Sequence, residues 1–401
     1  MNDVQLLIVG GGASGLAAAV EAARQGADVT VLEKLDRVGK KILATGNGRC
    51  NLLNLYASPA DYNDPPFVER VFAQFGVQSD LDFFGSMGLL TTADSEGRVY
   101  PRSNAASSVL DVLRMECARL GVRFLCGEAA ASIRPKSGAF IVNDALRAHA
   151  VIAACGGKAS PAHGTDGSGY RLLQSFGHTC TALHPALVQL RTDPDFVKGL
   201  KGLRAAVALT LHSPNGETHA SQGEALFTDY GLSGIAAMEL SRYAADGGTL
   251  YIDFLPDMDE AQTRIFLHKA KARSGSGPLE QLLLGAVHSR IGQALLRQTL
   301  CRKLSASCST LTDGELQLLA QALKAFPITV RGTKGFQDAQ VTAGGLDVAE
   351  FTETLESQFV PGLFACGEIL NIDGKCGGYN LTFAWSSGRL AGRSAAQFLK
   401  A

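Results

Sequence analysis

The 401-residue chain lacks several features that would each have fixed a function class. It has almost no net charge, formally −1, so its overall balance points neither to nucleic acid nor to an anionic membrane. No apolar run is long enough to span a bilayer. Its nine cysteines are an odd number, with no C-x-x-C and no paired metal-ligand spacing. That argues against a disulfide framework or a metal site, and for reduced thiols in a cytoplasmic protein. Asp3 stands where a signal peptide carries bases, and the apolar stretch behind it is broken by glycines. There is no internal repeat, and a second strand-borne G-x-G-x-x-G is missing. The length suffices for two or three domains.

What is present begins with Leu6–Glu33, LLIVGGGASGLAAAVEAARQGADVTVLE. Leu6–Val9 is a short apolar run suited to a buried parallel strand. Gly10, Gly12 and Gly15 fit G-x-G-x-x-G, with Ala13 and Ser14 inside the turn. Leu16–Gln25 is Ala-rich and helical, and Asp28–Leu32 is a second strand with Glu33 at its end. Gly10 permits the tight turn, Gly12 lets a pyrophosphate approach bare backbone, and Gly15 lets the helix pack on the strand. The free N–H groups at the helix start attract phosphate. Glu33 is placed to accept hydrogen bonds from both ribose hydroxyls and to repel a 2′-phosphate, which excludes NADP at this turn. This stretch predicts an adenine dinucleotide and leaves FAD against NAD open.

Lys34–Asn54 is basic and rich in glycine and asparagine. Lys34, Lys41 and Arg49 bring positive charge just after the ribose acid. Gly46 allows unusual backbone angles, and Thr45, Asn47, Cys50 and Asn51 flank it, so the segment reads as a loop folded across the cofactor. Helices are expected at Ala60–Gly76, Gln78–Met87 and Ala105–Leu120. Strands at Val122–Leu125, Phe140–Val142 and Val151–Ala154 resemble a three-stranded crossover over an adenine, with backbone near Ala130 passing the adenine edge. Gly156 and Gly157 then follow a strand, where ligands sit in open α/β sheets.

From Pro185 the pattern changes to short strands and turns, an inserted antiparallel β-domain at about 185–256, completed by about 328–345. Residues 257–327 read as a helical subdomain, with Thr312 and Glu315 forming a capping box. Its bases lack the interleaved aromatics of a nucleic-acid track. The dinucleotide domain is then discontinuous, 1–184 and 331–401.

Pro361–Ala401 decides between the cofactors. A strand at Leu363–Cys366 leads to Gly367 and Glu368, a loop, and a helix from about Leu381. A first and a last strand-turn-helix on one sheet hold an extended cofactor between them, which suits FAD. The helix start near Gly378, Tyr379, Asn380 and Leu381 would point its positive end at the flavin. Ala384, Gly388, Gly392 and Ala396 form a small-residue stripe expected to face the sheet or Ala18, Ala19 and Ala22 of the first helix.

These residues carry a resemblance. VGKKILATGNGRCNLLN at Val38–Asn54, TDYGLSG at Thr228–Gly234, QVTAGGL at Gln340–Leu346 and GEILNIDGKCGGYNLTFAWSSG at Gly367–Gly388 are similar to the bacterial FAD flavoproteins that include aminoacetone oxidase and flavoproteins tied to bile-acid enone reduction. The match covers essentially the whole chain. It implies an α/β fold: a Rossmann-like FAD-binding domain of the two-dinucleotide-binding-fold type, an inserted antiparallel β-barrel and a helical subdomain. Ala44 and Asn47 stand where relatives more often have Ser and Gly, and Cys376 where they seldom have cysteine.

The expected function is an FAD-dependent oxidoreductase moving hydride to or from a small carbonyl, enone or amine. Either NADH or NADPH is a transient donor, or the substrate is the donor and O2 the acceptor. Arg49, Cys50, Cys376 and Tyr379 are the catalytic candidates, and no metal or nucleic-acid partner is expected. The alternatives left open are a flavin-binding sensor or assembly protein without turnover, and an RNA-modifying flavoprotein.

Overall fold

The computed structural model describes residues 2–401. The chain divides into one unit of Met1–His184 with Val341–Ala401, and a second of Pro185–Gln340.

In the first unit, apolar runs too continuous for a one-sided strand become the buried parallel centre of a mixed sheet. Its strands are β1 (Asn2–Val9), β2 (Val29–Glu33), β3 (Arg123–Cys126), β4 (Ile133–Lys136), β5 (Ala139–Val142), β6 (Leu146–Ala153) and β7 (Leu363–Ala365). The order is β3-β2-β1-β6-β5-β4, with β7 pairing β6 as the seventh strand. β1, β2, β3, β6 and β7 run parallel, with Ile8 opposite Val31 on one side and Ile152 on the other. β4 and β5 add antiparallel to β6, so the three-stranded antiparallel piece is made with Ile133–Lys136, while the strand expected in it at Val122–Leu125 joins the parallel sheet as β3 beside β2. The chain departs from β1 in both directions across the sheet, so the carboxyl ends of β1 and β6 flank a switch point where ligands bind in such sheets.

Helices α1 (Ala13–Arg24), α2 (Val77–Ser86), α3 (Ala106–Arg119) and α4 (Tyr379–Phe398) pack around this sheet. α1 starts three residues before the expected Leu16, because Gly12 takes the cap position. α4 starts two residues before Leu381, with Gly378 as its cap. The small-residue stripe faces α1: a Cβ on Gly388 would stand 2.3 Å from the Ser14 carbonyl oxygen, and one on Gly392 2.4 Å from that of Ala18.

In the second unit, strands Leu190–Thr192, Gly231–Ser233, Thr218–Phe227, Arg204–His212, Thr249–Asp253 and Phe326–Thr333 close, in that order, into an antiparallel barrel. Val207, Leu209 and Leu211 alternate into its core. Between the last two strands lie the helices Glu260–Ser274, Ser289–Leu300 and Asp313–Lys324, the third opened by the Thr312–Glu315 capping box. No helix among the described residues is long and apolar enough to cross a membrane.

Candidate dinucleotide site

The carboxyl ends of the parallel strands meet at one edge of the first unit. Gly10 N–H donates to Leu32 O at 2.8 Å, Ala154 N–H to Val9 O at 2.9 Å, and Cys366 N–H to Ala153 O at 3.1 Å. Gly10–Gly15, Glu33, Gly156–Gly157 and Gly367–Glu368 are thereby collected.

The three fingerprint glycines separate by cause. A Cβ on Gly10 would lie 2.3 Å from Ala154 O, and one on Gly15 would lie 1.9 Å from Gly10 O. Both positions are glycine because protein backbone is in the way. A Cβ on Gly12 would meet nothing within 4 Å. The protein itself does not require that glycine, whereas a pyrophosphate laid against the start of the 12-residue α1 does. The residues fit a dinucleotide on this ground.

Glu33 is held differently from the expectation. Its Oε2 accepts from Gly11 N at 2.8 Å and its Oε1 from Leu35 N at 2.9 Å. The carboxylate therefore staples the glycine turn to the end of β2, and only its remaining lone pairs can serve a ribose. Gly11, which the fingerprint does not single out, supplies the key N–H. The segment holding Ala130 passes this point: Gly127 N–H reaches Leu35 O at 2.8 Å and Glu128 N–H reaches Glu33 O at 3.2 Å. The Asn143 side chain fixes the backbone on either side of Ala130, accepting from Ala131 N and donating to Ala129 O.

Several candidates spend their side chains on the fold. Lys34 pairs with Asp166 at 2.9 Å. Thr45 Oγ1 donates to Ile42 O at 2.6 Å. Gly46 and Asn47 both adopt left-handed backbone, at φ 56° and 55°, within a short 3-10 turn rather than a free loop. The Arg49 guanidinium lies 4.8 Å from the ring centre of Tyr100, a residue the sequence reading missed. The Asn51 amide, oriented to satisfy both neighbours, donates to Leu53 O and accepts from Gly378 N at 3.2 Å. Asn380 accepts from Gly374 N at 2.9 Å and donates back to Gly374 O at 3.0 Å. What Asn380 and its neighbour Leu381 can offer a ligand is therefore first-turn backbone N–H.

Lys41 and Glu368 form a junction across the strand ends. Their Nζ–Oε2 distance is 2.7 Å, and Glu368 Oε1 accepts from Thr342 N at 2.9 Å. Thr342 Oγ1 accepts in turn from Lys158 N and Ala159 N. A Cβ on Gly157 would strike Thr342 Oγ1 at 2.4 Å and Glu368 Oε1 at 2.8 Å, so glycine is obligatory there. Gly156 and Gly367 both have positive φ, and a Cβ on Gly367 would stand 2.4 Å from Ser14 Oγ. The Ser14 hydroxyl faces this segment, donating to Cys366 O at 3.5 Å.

Cys50 needs correction as a reactive thiol. It is fully buried, and burial pushes its thiol up to about 11. It is protonated and inaccessible at neutral pH. Cys376 is half-buried between Gly374 and the positive-φ pair Gly377 and Gly378. The Tyr379 carbonyl accepts from Tyr62 Oη at 2.7 Å, which fixes the first turn of α4.

Compared with known proteins, residues 4–394 match the family described as HI0933-like protein Rossmann domain. The chain belongs to that family. This HI0933-like chain is 39% identical over 406 residues to the 3-dehydro-bile acid delta(4,6)-reductase of Clostridium scindens, covering 97% of the chain and 98% of the relative. It is 28% identical over 394 residues to the ribosomal RNA dihydrouridine synthase of Escherichia coli, covering 96% of each. Among solved structures it resembles the 3-ketosteroid-delta4-(5alpha)-dehydrogenase from Rhodococcus jostii at a TM-score of 0.50 and 18% identity, covering 98% of this chain and 97% of that one. That likeness is one of fold. The chain is a member of a flavoprotein oxidoreductase family, as its sequence motifs led us to expect.

Proposed function

We propose that this HI0933-like protein is an FAD-dependent reductase of ring enones, taking electrons from NADH or NADPH. The observation that carries the reading is the 39% identity to a bile-acid enone reductase across nearly the full length of both chains. The dinucleotide groove described above supports it.

The Gly10–Gly15 turn and the start of α1 would hold the pyrophosphate, and Glu33 the adenosine ribose. Backbone near Ala130 would border the adenine. The Gly46–Asn51 turn, Gly156–Gly157, the Lys41–Glu368 junction and Gly378–Leu381 would hold the flavin half. FAD, when bound, supplies hydride transfer. The chain's tasks are to bind the substrate carbonyl, exclude water and deliver one proton. Burial removes Cys50 from the proton donors. Tyr379, whose phenol is a hydroxyl donor on a turn fixed by Tyr62, is our first choice for that role, ahead of Arg49 and Cys376.

A 28% identical relative named for ribosomal RNA favours a second reading, reduction of a uridine base in RNA. One experiment separates the two. Purified holoprotein is given NADH or NADPH with either a 3-oxo-4,6-diene steroid acid or protein-free ribosomal RNA, and products are read by mass spectrometry. Reduced steroid with unmodified RNA supports the proposal. Dihydrouridine with untouched steroid overturns it.

A further inference from the structure

Arg49 is a cation that the fold holds in place and does not neutralise. The lysines of its segment are each spent on an acid: Lys34 on Asp166, Lys40 on Asp36 and Lys41 on Glu368. Arg49 is exposed and has no carboxylate partner among the described residues. It is nevertheless fixed at two points. Its Nε donates to Gly46 O at 3.3 Å, and its guanidinium lies over the Tyr100 ring. Gly46, Asn47, Gly48 and Cys50 all have left-handed backbone, which curls the turn back so that the first bond closes. Tyr100 is itself anchored, on a strand, Arg98–Pro101, that pairs with Leu53–Asn54. Arg98 on that strand is neutralised twice, by Asp94 at 2.7 Å and Glu96 at 2.9 Å. Arg49 keeps its two terminal nitrogens, a planar fork of N–H donors open to solvent.

The fork stands by the start of α4. The Asn51 amide accepts from Gly378 N, a Cβ on Gly378 would lie 2.6 Å from Leu53 C, and one on Gly377 would lie 3.7 Å from Arg98 Cδ. The turn, the Tyr100 strand and the first residues of α4 therefore share one surface, at the end proposed for the flavin. The pyrophosphate belongs at Gly12 in that reading, so it does not account for the unpaired charge.

Ring-enone reduction develops negative charge on the substrate. Hydride added from reduced FAD to the far alkene carbon opens the C=C bond, moves an electron pair onto the carbonyl oxygen and leaves FAD oxidised. A proton added at the carbon next to the carbonyl then restores the ketone. Until it arrives the oxygen is an enolate, and donors already aimed at it stabilise it without reorganising. We propose that Arg49 is the catalytic residue that binds the substrate's ketone oxygen and holds its charge as the enolate forms. The proposal rests on the enone-reductase reading above. Arginine suits the task because it stays charged and stacks on an aromatic face. The proton donor is then a separate group.

The test uses an enolate mimic, a steroid acid whose first ring is aromatic and carries a 3-hydroxyl flanked by fluorines, so that it ionises where the protein is folded. It is titrated with pH, by phenolate absorbance, free and bound to protein saturated with oxidised FAD. Wild type should ease the ionisation by at least tenfold, one pH unit. Arg49→Leu should abolish that shift, and Arg49→Lys should keep only part of it. A wild-type shift under half a unit overturns the proposal whatever the variants do, and so does a full shift retained in Arg49→Leu. Failure of wild-type holoprotein to bind any of these steroids would instead sink the parent reading.

Discussion

Gly388 in α4 and Ser14 in α1 are in direct backbone contact, with room for no side chain between them: a Cβ on Gly388 would stand 2.3 Å from the Ser14 carbonyl oxygen. The first and last helices of the unit are locked together in the first turn of α1.

Gly388→Ala therefore pushes α4 off α1. Overpacking costs about 1–3 kcal/mol, against roughly 1 kcal/mol regained from helix propensity. The expected outcome is a lower urea midpoint and weaker FAD binding together. Gly85→Ala in α2, where a Cβ would meet nothing within 4 Å, is the control and should gain about 0.4–1 kcal/mol. Equal stabilities for Gly388→Ala and wild type would show that the contact does not govern the interface.

Glu33 has a double duty, and two substitutions separate its parts. Glu33→Ala loses the acceptors for Gly11 N and Leu35 N as well as any ribose bonds. Glu33→Gln keeps one carbonyl acceptor. FAD binding should weaken by roughly 2–4 kcal/mol in the first and by about half that in the second. Isothermal titration with FAD checks both, and equal affinities for Glu33→Ala and wild type would remove Glu33 from the site.

How much of this was legible in sequence follows from range. The glycine turn, Glu33 and the stripe on α4 are local patterns: the stripe faces α1 as read, and the Gly10–Gly15 turn and Glu33 lie together at the strand ends, with the Glu33 carboxylate turned to Gly11 N and Leu35 N. Helix starts moved, because a cap such as Gly12 or Gly378 is set by the turn before it and not by the apolar period after it. The Glu368–Thr342–Lys158 chain joins three distant segments, so no window of sequence could show it. That the Asn380 and Asn51 side chains brace nearby backbone was not legible for a related reason: asparagine in a glycine-rich loop looks the same whether it faces a ligand or braces its own backbone.

A buried charge cluster unseen in sequence sets a pH dependence. Asp80 in α2 is fully buried and accepts from Ser386 Oγ at 2.7 Å and Arg389 Nη1 at 2.9 Å, while Arg389 also reaches Glu21 in α1 at 3.2 Å. Burial raises Asp80 to about 7, against the lowering pull of Ser386 and Arg389. Its folded value lies above its unfolded one, so the folded state binds the extra proton. This contribution to stability is complete below about pH 4 and is lost as pH rises through about 7. Asp80→Asn should flatten that segment of the stability–pH curve. Denaturant melts of both proteins between those limits test it, and parallel curves would contradict the assignment.

Cys50 should be silent chemically. In native protein a thiol reagent should label exposed Cys126 and Cys301 and spare Cys50, Cys117, Cys308 and Cys366. Cys50→Ala should leave flavin reduction and reoxidation rates within about twofold of wild type, an effect below roughly 0.4 kcal/mol. Rapid labelling of Cys50, or loss of turnover in the variant, would return it to the catalytic candidates.

The most direct measurement is a single turnover without a nicotinamide donor. Holoprotein is photoreduced anaerobically and mixed in a stopped-flow cell with a 3-oxo-4,6-diene steroid acid. FAD-dependent enone reduction requires the oxidised flavin spectrum to return in step with one equivalent of reduced steroid per chain. A flavin that stays reduced with this substrate, yet reoxidises at once with O2, would contradict it.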